Sequence, residues 1–182
     1  MELTPMAKKI SLVTIAVFLI QLVFNLNMFA LYSNSELFRG YQLITHMLLH
    51  QNLGHLISNF ILFIMVASPV ENYLKDSYKF LTLYLLTGVV GALSQIIAFR
   101  GENIAMIGAS GAIYGILGAC LFMAPSHSIK IFKIKIPILL ISALLIVPEI
   151  ISCFNTKNDY IGHFSHMGGL ITGIIFYFFN RK

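Results

Sequence analysis

The chain contains 182 residues, of which 58% are hydrophobic and only 10% are charged, and its formal net charge at pH 7 is +5. Soluble globular domains carry about 25% charged residues, so this composition excludes an ordinary soluble protein. The mean hydropathy of +0.84 leads to the same conclusion and predicts a membrane protein.

Six apolar segments, bounded by charged and turn-forming residues, follow one another along the chain. Each is close to the length that a helix needs to cross a bilayer. The predicted spans cover residues 10–32, 55–70, 80–99, 108–125, 136–150 and 163–180. The first follows Lys8 and Lys9 and is too long for the core of a signal peptide, so we expect it to be retained. The pattern predicts a single helical membrane domain over residues 1–182, with no appended soluble domain.

The longest stretch between predicted spans covers residues 33–54 and mixes polar residues with an apolar run within residues 43–49. It is too apolar for an aqueous loop, so we expect it to lie partly in the outer membrane interface, between the first and second helices. His46 and His50 are four residues apart and could bind a metal if this segment were helical. We favour structural hydrogen bonding in the loop as the role of these histidines.

The basic residues predict the orientation of the chain. An even number of spans places both termini on one side, and a cytoplasmic N-terminus puts nine of the 12 basic residues inside and three outside. The inside residues are Lys8, Lys9, Lys75, Lys79, Lys130, Lys133, Lys135, Arg181 and Lys182, and the outside residues are Arg39, Arg100 and Lys157. Because these charges sit at span ends rather than in one patch, we expect no nucleic-acid binding. We expect a multi-pass protein of the cell membrane with both termini in the cytoplasm.

Three polar side chains on different spans share one predicted depth. The residues taken to mark the inner ends of these spans are Glu71, Ser126 and Arg181. His55 lies 16 residues before the first, Ser110 16 before the second and His166 15 before the third. At 1.5 Å per residue this is roughly 22–24 Å from the inner face, below the outer surface of the hydrocarbon core. Asn59 and Tyr114 lie one turn below His55 and Ser110 on the same helix faces. Because polar groups are costly at this depth, the cluster is a candidate functional site.

A serine within hydrogen-bond reach of a histidine is the minimum for nucleophilic acyl transfer, since the imidazole takes the hydroxyl proton and returns it to the leaving amine. Ser110 begins a predicted helix, whose free backbone N–H groups could hold an oxyanion with help from Asn59 or His55. The surrounding Gly-Ala-Ser-Gly-Ala is not the Gly-x-Ser-x-Gly elbow of soluble hydrolases. The His-Glu-x-x-His motif of helical zinc proteases is absent.

Three motifs occur in order, one on each of the second, fourth and sixth predicted spans. They are HQNLGHLISNF at residues 50–60, GASG at residues 108–111 and HFSHMGGLITG at residues 163–173. They resemble the His-x4-His-x3-Asn, Gly-x-Ser-Gly and His-x-Gly-Gly-x3-Gly motifs of the rhomboid family of intramembrane serine proteases. The resemblance covers essentially the whole chain and implies an all-α membrane protein, a six-helix rhomboid-like bundle of the minimal bacterial form.

The resemblance also implies a role for individual residues. Ser110 would be the nucleophile and His166 the general base of a dyad with no required carboxylate. An oxyanion hole would be formed by His55, Asn59 and the backbone N–H of Ser110, and Tyr114 would pack against the His166 ring. The other motif positions with a supporting role would be Gly108, Gly111 and His50.

The glycine pattern distinguishes the two histidines of the last span. Only His166 is followed by glycines at +2, +3 and +7, whereas His163 lies one turn nearer the outside. Two of these glycines also form a small face, Gly169-x3-Gly173, which would pack against the small face Gly111-x3-Gly115 on the fourth span. The first outer loop departs from the family, because Tyr41 and Gln42 stand where many members carry Trp-Arg.

We therefore expect an endopeptidase that hydrolyses a peptide bond in or near transmembrane segments of other membrane proteins, at a site open to the extracytoplasmic side. Its partners would be these substrates and membrane lipid, and we expect no cofactor and no metal. One alternative is a non-catalytic rhomboid relative acting as a chaperone or binding module, which the presence of both Ser110 and His166 disfavours. The other is a small transporter or metal carrier, disfavoured because we expect no intramembrane acidic residue placed to act as a proton or cation partner. The acidic residues at span ends or in loops are Glu71, Asp76, Glu102, Glu149 and Asp159.

Overall fold

The computed structural model describes residues 2–100, 102–154 and 161–181. Lys157, Asp159 and Lys182, which enter the charge analysis, lie outside these residues. The described part of the chain is mostly helical. Its α-helices are α1 (Pro5–Gln21), α2 (Gln42–Thr45), α3 (Leu53–Leu74), α4 (Ser77–Ala98), α5 (Ser110–Met123), α6 (Ile138–Phe154) and α7 (His163–Asn180). Each predicted span therefore overlaps one of the longer helices.

Among the described helices, α3 and α4 are long and apolar enough to cross a membrane, while α5 and α6 are apolar but shorter. Polar side chains define where the two long helices begin. The Asn52 side chain accepts a hydrogen bond from the backbone N–H of His55 at 2.8 Å, and Asp76 accepts from Tyr78 and Lys79. These caps pair backbone donors that the first turn of a helix leaves free.

The predicted first span, residues 10–32, is wrong in its bounds. α1 begins at Pro5, whose fixed φ suits the first helical position, and it ends at Gln21. Beyond it, the Asn25 side chain accepts a hydrogen bond from the Asn27 backbone at 2.9 Å, which competes with continued helix. A 3₁₀ turn, Asn27–Phe29, follows. The apolar run after residue 21 is therefore part of a loop rather than of the helix.

Two small antiparallel sheets were not predicted and correct the all-α expectation to a mostly helical fold. Strand β1 (Leu31–Tyr32) pairs with β2 (Ala105–Met106), which joins the first loop to the segment before α5. Strands β3 (Ser128–Ile131) and β4 (Ile134–Pro137) form a hairpin between α5 and α6. Both sheets lie in connections between the longer helices, so they leave the helical bundle intact.

The segment covering residues 33–54 contains α2 and a 3₁₀ turn, His46–Leu48. Part of this segment packs inward, since Met47 and Gln42 are almost completely buried, whereas Leu37, Tyr41 and Ile44 are exposed. Met47 lies against Gly88 of α4, where any side chain would occupy the position of its sulfur. The loop is thus partly packed against the bundle, and its location in the membrane interface stays a prediction.

Glu71 does not mark the inner end of α3, as the depth analysis assumed. The helix continues to Leu74, and Glu71 is a buried carboxylate that is 4% exposed. It accepts four hydrogen bonds, from Thr4 Oγ1 at 2.5 Å, Met6 N at 3.1 Å, Ala7 N at 3.0 Å and Ser77 Oγ at 2.5 Å. Glu71 therefore pairs the free N–H groups at the start of α1 and joins α1 to α3.

Helix α5 is the centre of the bundle, and all its residues from Gly111 to Cys120 are buried. It packs against α3, α4 and α7. The backbones of α5 and α7 approach closely because glycines face each other. A Cβ atom on Gly169 would collide with the Gly111 carbonyl, and one on Gly173 would collide with the Gly115 carbonyl. This contact determines the spacing of α5 and α7.

We expect Gly173→Ala to destabilise the protein, because the added methyl group meets the rigid α5 backbone rather than a movable side chain. Overpacking of this kind costs about 1–3 kcal/mol. The measurement is the midpoint of thermal unfolding in detergent. Gly40→Ala is the matched control, since a Cβ atom there meets nothing within 4 Å. Equal midpoints for the two variants would contradict the proposed close packing.

Candidate active site

Ser110 and His166 come from helices that are 56 residues apart in sequence and meet at one end of the bundle. Ser110 is the first residue of α5, and His166 lies in the first turn of α7. The Ser110 Oγ atom is 2.7 Å from His166 Nε2, within hydrogen-bond distance. His166 is 6% exposed, so the pair is largely withdrawn from solvent. This arrangement can transfer a proton from the hydroxyl to the imidazole.

Tyr114 holds the His166 ring from one side. It lies one turn after Ser110 on α5, and its ring stacks on the His166 ring with centroids 4.4 Å apart and planes at 4°. Its hydroxyl donates a hydrogen bond to Glu149 Oε1 at 3.1 Å. The stack restricts rotation of the imidazole and so keeps Nε2 directed at Ser110.

Glu149 is the site residue that the sequence analysis missed. We expected it near the end of the fifth span, but α6 continues to Phe154 and places Glu149 inside the helix. Its Oε2 atom lies 2.5 Å from His163 Nδ1 and 3.0 Å from His166 Nδ1. The first contact is a hydrogen bond, whereas the second lacks hydrogen-bond alignment. The signal in the sequence was a single acidic residue in an otherwise apolar segment.

Two groups of residues could be considered as metal ligands. Glu149, His163 and His166 offer ligand atoms within 4.8 Å of one another. The 2.5 Å distance between Glu149 Oε2 and His163 Nδ1 is that of a hydrogen bond rather than of two ligands around one ion. In the loop, His46 pairs its Nδ1 atom with the Gln42 carbonyl at 2.8 Å, which supports a structural role. The expected absence of a metal stays a prediction.

Gly108 allows the His55 ring to lie directly against the backbone that leads to Ser110. The φ angle of Gly108 is +125°, a conformation that favours glycine. A Cβ atom at Gly108 would be 2.8 Å from the His55 ring, so the ring occupies the space of the missing side chain. His55 also contacts the His50 ring edge-on, with centroids 5.1 Å apart. The structure thus brings His55 next to the start of α5.

Asn59 is close to this group but is oriented along its own helix. Its amide nitrogen donates to the His55 carbonyl at 2.9 Å, and it is 8% exposed. Its Oδ1 atom has no hydrogen-bond partner among the residues that the structure describes. Asn59 shares a cavity of about 20 Å³ with Ala109, the residue before Ser110. The described hydrogen bonds therefore do not connect Asn59 with Ser110.

His46 and His50 precede α3 and are nearly inaccessible to solvent. Burial lowers the pKa of His46 to about 4. Burial, and then the neighbouring His55, lower the pKa of His50 to about 4. Both rings are therefore neutral in the folded protein at pH 7. The Gln21 side chain pairs with the His50 backbone through both its amide atoms, which attaches the end of α1 to this loop.

These buried histidines predict that the protein loses stability on acidification. The unfolded chain takes up protons near pH 6.5, whereas folded His46 and His50 do so only near pH 4. The stabilisation that comes from keeping these two histidines neutral is complete above pH 6.5. It is lost as the pH falls towards 4, because the unfolded state then binds more protons than the folded state. We expect the thermal midpoint to fall between pH 7 and pH 5, and to fall less in His46→Gln. Identical pH dependence in the two proteins would contradict this expectation.

The family model for the rhomboid domain matches residues 34–182. The chain belongs to the rhomboid family. The matched part contains all three motifs of this rhomboid chain, together with α2 to α7. Membership identifies it as a membrane protein with apolar helices, as its composition predicted.

Several curated rhomboid proteins are similar to the chain over most of its length. Rhomboid protease GluP of Bacillus subtilis (strain 168) is 33% identical over 143 residues, which are 77% of this chain and 26% of GluP. RHOMBOID-like protein 6, mitochondrial, of Arabidopsis thaliana is 32% identical over 136 residues, or 73% of this chain and 41% of that protein. Rhomboid-related protein 1 of Caenorhabditis elegans is 26% identical over 141 residues, which are 75% of this chain and 39% of that protein. The chain thus spans less than half the length of these relatives.

Proposed function

We propose that this rhomboid chain is an intramembrane serine endopeptidase with Ser110 as nucleophile and His166 as general base. The observation that carries the proposal is the 2.7 Å contact between Ser110 Oγ and His166 Nε2. A serine and an imidazole at this distance are the minimum for acyl transfer. Membership of the family, and the similarity to proteins named as rhomboid proteases, support the same activity.

The first half of the reaction forms an acyl-enzyme. Ser110 Oγ attacks the carbonyl carbon of the substrate peptide bond while its proton passes to His166 Nε2. The carbonyl π electrons move to the oxygen, which becomes the oxyanion of a tetrahedral intermediate. That intermediate collapses with cleavage of the C–N bond, and His166 returns the proton to the leaving amine.

The start of α5 supports an oxyanion site beside Ser110. The first backbone N–H groups of a helix have no partner within it and carry the positive end of the helix dipole. The His55 ring lies against Gly108, two residues before Ser110. It would donate a hydrogen bond to the oxyanion, as these backbone N–H groups would. Asn59 would join them after its amide rotates away from the His55 carbonyl, to which it donates in the present structure.

The second half of the reaction needs water. Water attacks the acyl carbon, its proton passes to His166 Nε2, and cleavage of the ester returns the proton to Ser110. We place the site towards the extracytoplasmic side, with six spans and both termini in the cytoplasm, because this orientation satisfies the positive-inside rule. Water would then reach the dyad from that side beneath the loop that contains α2.

The substrate class follows from the surroundings of the site. A polypeptide that reaches a site within a helical membrane bundle from the side is a transmembrane segment of another protein. We propose that it enters between α3 and α6. The large apolar side chains of α6 that are exposed are Leu139, Leu140, Leu144, Val147, Ile150, Ile151 and Phe154. A helix hides its peptide carbonyls in hydrogen bonds, so segments weakened by glycine or proline should be cleaved most readily.

The proposal is tested by covalent labelling of the purified protein with a fluorophosphonate. The reaction forms an Oγ–P bond at an activated serine, releases fluoride and transfers the hydroxyl proton to the base. We expect labelling of one serine in the wild type and none in Ser110→Ala. Labelling that persists in Ser110→Ala, or a wild type that is neither labelled nor able to cleave a transmembrane reporter in vesicles, would overturn the proposal.

A further inference from the structure

Glu149 is the part of the site that the dyad leaves unexplained. It is the single charged residue of α6, and its side chain is only 13% exposed. A carboxylate in such surroundings is costly unless other groups compensate its charge. Its retention inside the apolar α6 therefore calls for specific partners.

Three polar groups converge on this carboxylate. The Tyr114 hydroxyl donates to Oε1 at 3.1 Å, and His163 Nδ1 pairs with Oε2 at 2.5 Å. The same Oε2 atom lies 3.0 Å from His166 Nδ1, the ring nitrogen that does not face Ser110. Tyr114 and His163 thus hold the carboxylate against the far edge of the His166 ring.

We propose that Glu149 is a positioning residue for His166, an inference that rests on the proposed function. For Nε2 of His166 to accept the Ser110 proton, the ring proton must sit on Nδ1. A carboxylate 3.0 Å from Nδ1 favours that tautomer and stabilises the imidazolium that forms when Ser110 attacks. Because the contact lacks hydrogen-bond alignment, the stabilisation is mainly electrostatic attraction across a poorly solvated gap. This chain therefore adds a carboxylate partner to the Ser-His dyad.

The kinetic test compares the wild type with Glu149→Gln, which keeps the shape of the side chain and removes its charge. We expect kcat for cleavage of a transmembrane reporter in vesicles to fall about 10- to 100-fold with little change in KM, since the lost attraction acts in the transition state. The rate of fluorophosphonate labelling should fall in parallel. Glu149→Asp should lie between the two. Glu102→Gln, an exposed acid outside the helices, should match the wild type.

A spectroscopic measurement separates this role from a purely structural one. In protein labelled with ¹⁵N at histidine, the His166 resonances are identified by their loss in His166→Gln. We expect the proton of the wild-type ring to reside on Nδ1, and to shift towards Nε2 in Glu149→Gln. A packing role for Glu149 would leave the tautomer of His166 unchanged.

The outcomes distinguish the inference from the proposed function. A wild type that is labelled at Ser110, together with a Glu149→Gln variant labelled at the same rate, overturns the role of Glu149 alone. A wild type that shows no labelling and no cleavage overturns the proposed function. If Glu149→Gln does not fold, Glu149→Asp decides, because wild-type kcat and an unchanged His166 tautomer in that variant overturn the inference.

Discussion

Replacing Ser110 by alanine is expected to lower peptide hydrolysis by at least about 10⁴-fold, because the variant has no oxygen to attack the carbonyl carbon. Substrate binding should change little, since the hydroxyl is a small part of the contact surface. The measurement is the single-turnover cleavage rate of a transmembrane reporter in vesicles, together with its Kd. Ser110 is expected to be the nucleophile because its Oγ atom lies 2.7 Å from His166 Nε2, which can accept the hydroxyl proton.

The matched control is Ser126→Ala, which removes an exposed serine that follows α5 at its other end. It should cleave the reporter like the wild type. If Ser110→Ala retained more than about a tenth of wild-type activity, the nucleophile would be another group. A weaker Kd with an unchanged cleavage rate would indicate that Ser110 acts in binding rather than in chemistry.

Replacing His166 by alanine is expected to abolish turnover to a similar extent, because the Ser110 hydroxyl then loses the base that accepts its proton. Replacing His163 by alanine should cost much less, roughly tenfold or below. His163 pairs with Glu149 and is expected to act on the dyad through that carboxylate. The measurement is again kcat and KM for the transmembrane reporter, with the unfolding midpoint of each variant as a check on folding.

The comparison of the two histidine variants has a clear contrary result. A His163→Ala variant that is inactive, beside a His166→Ala variant that is active, would mean that the other ring is the base. Equal and small losses in both variants would remove the general-base role from α7 altogether. Tyr114 gives a further reason to expect His166, since its ring stacks on that imidazole and not on His163.

Much of the candidate site could be predicted from the sequence, because it depends on local spacing. The apolar segments follow from composition over about 20 residues, and each overlaps a helix. The motifs placed Ser110 at the start of a helix, and the glycine pattern singled out His166. The structure brings these two side chains together across the small faces of α5 and α7. Their catalytic roles and the orientation in the membrane stay predictions until tested.

The remaining features depend on how helices rotate and slide against one another, which composition does not determine. α1 ends early because the Asn25 side chain bonds to the backbone, although the residues after it are as apolar as those before. Glu71 reads as a boundary charge, but pairing with the start of α1 allows it to be buried. Asn59 lies one turn after His55 on α3, but its amide donates to the His55 carbonyl rather than pointing to Ser110.

Glu149 shows most clearly which features the sequence determines and which depend on the tertiary structure. By itself the sequence determined a membrane-embedded helical protein of the rhomboid family, with a serine and a histidine on separate helices. Only the tertiary structure placed a carboxylate beside that histidine, because the rotation of α6 about its axis decides whether Glu149 faces lipid or the bundle. The cost of a charge in lipid and its attraction to the two imidazoles favour the inward orientation, and both depend on neighbours that are distant in sequence.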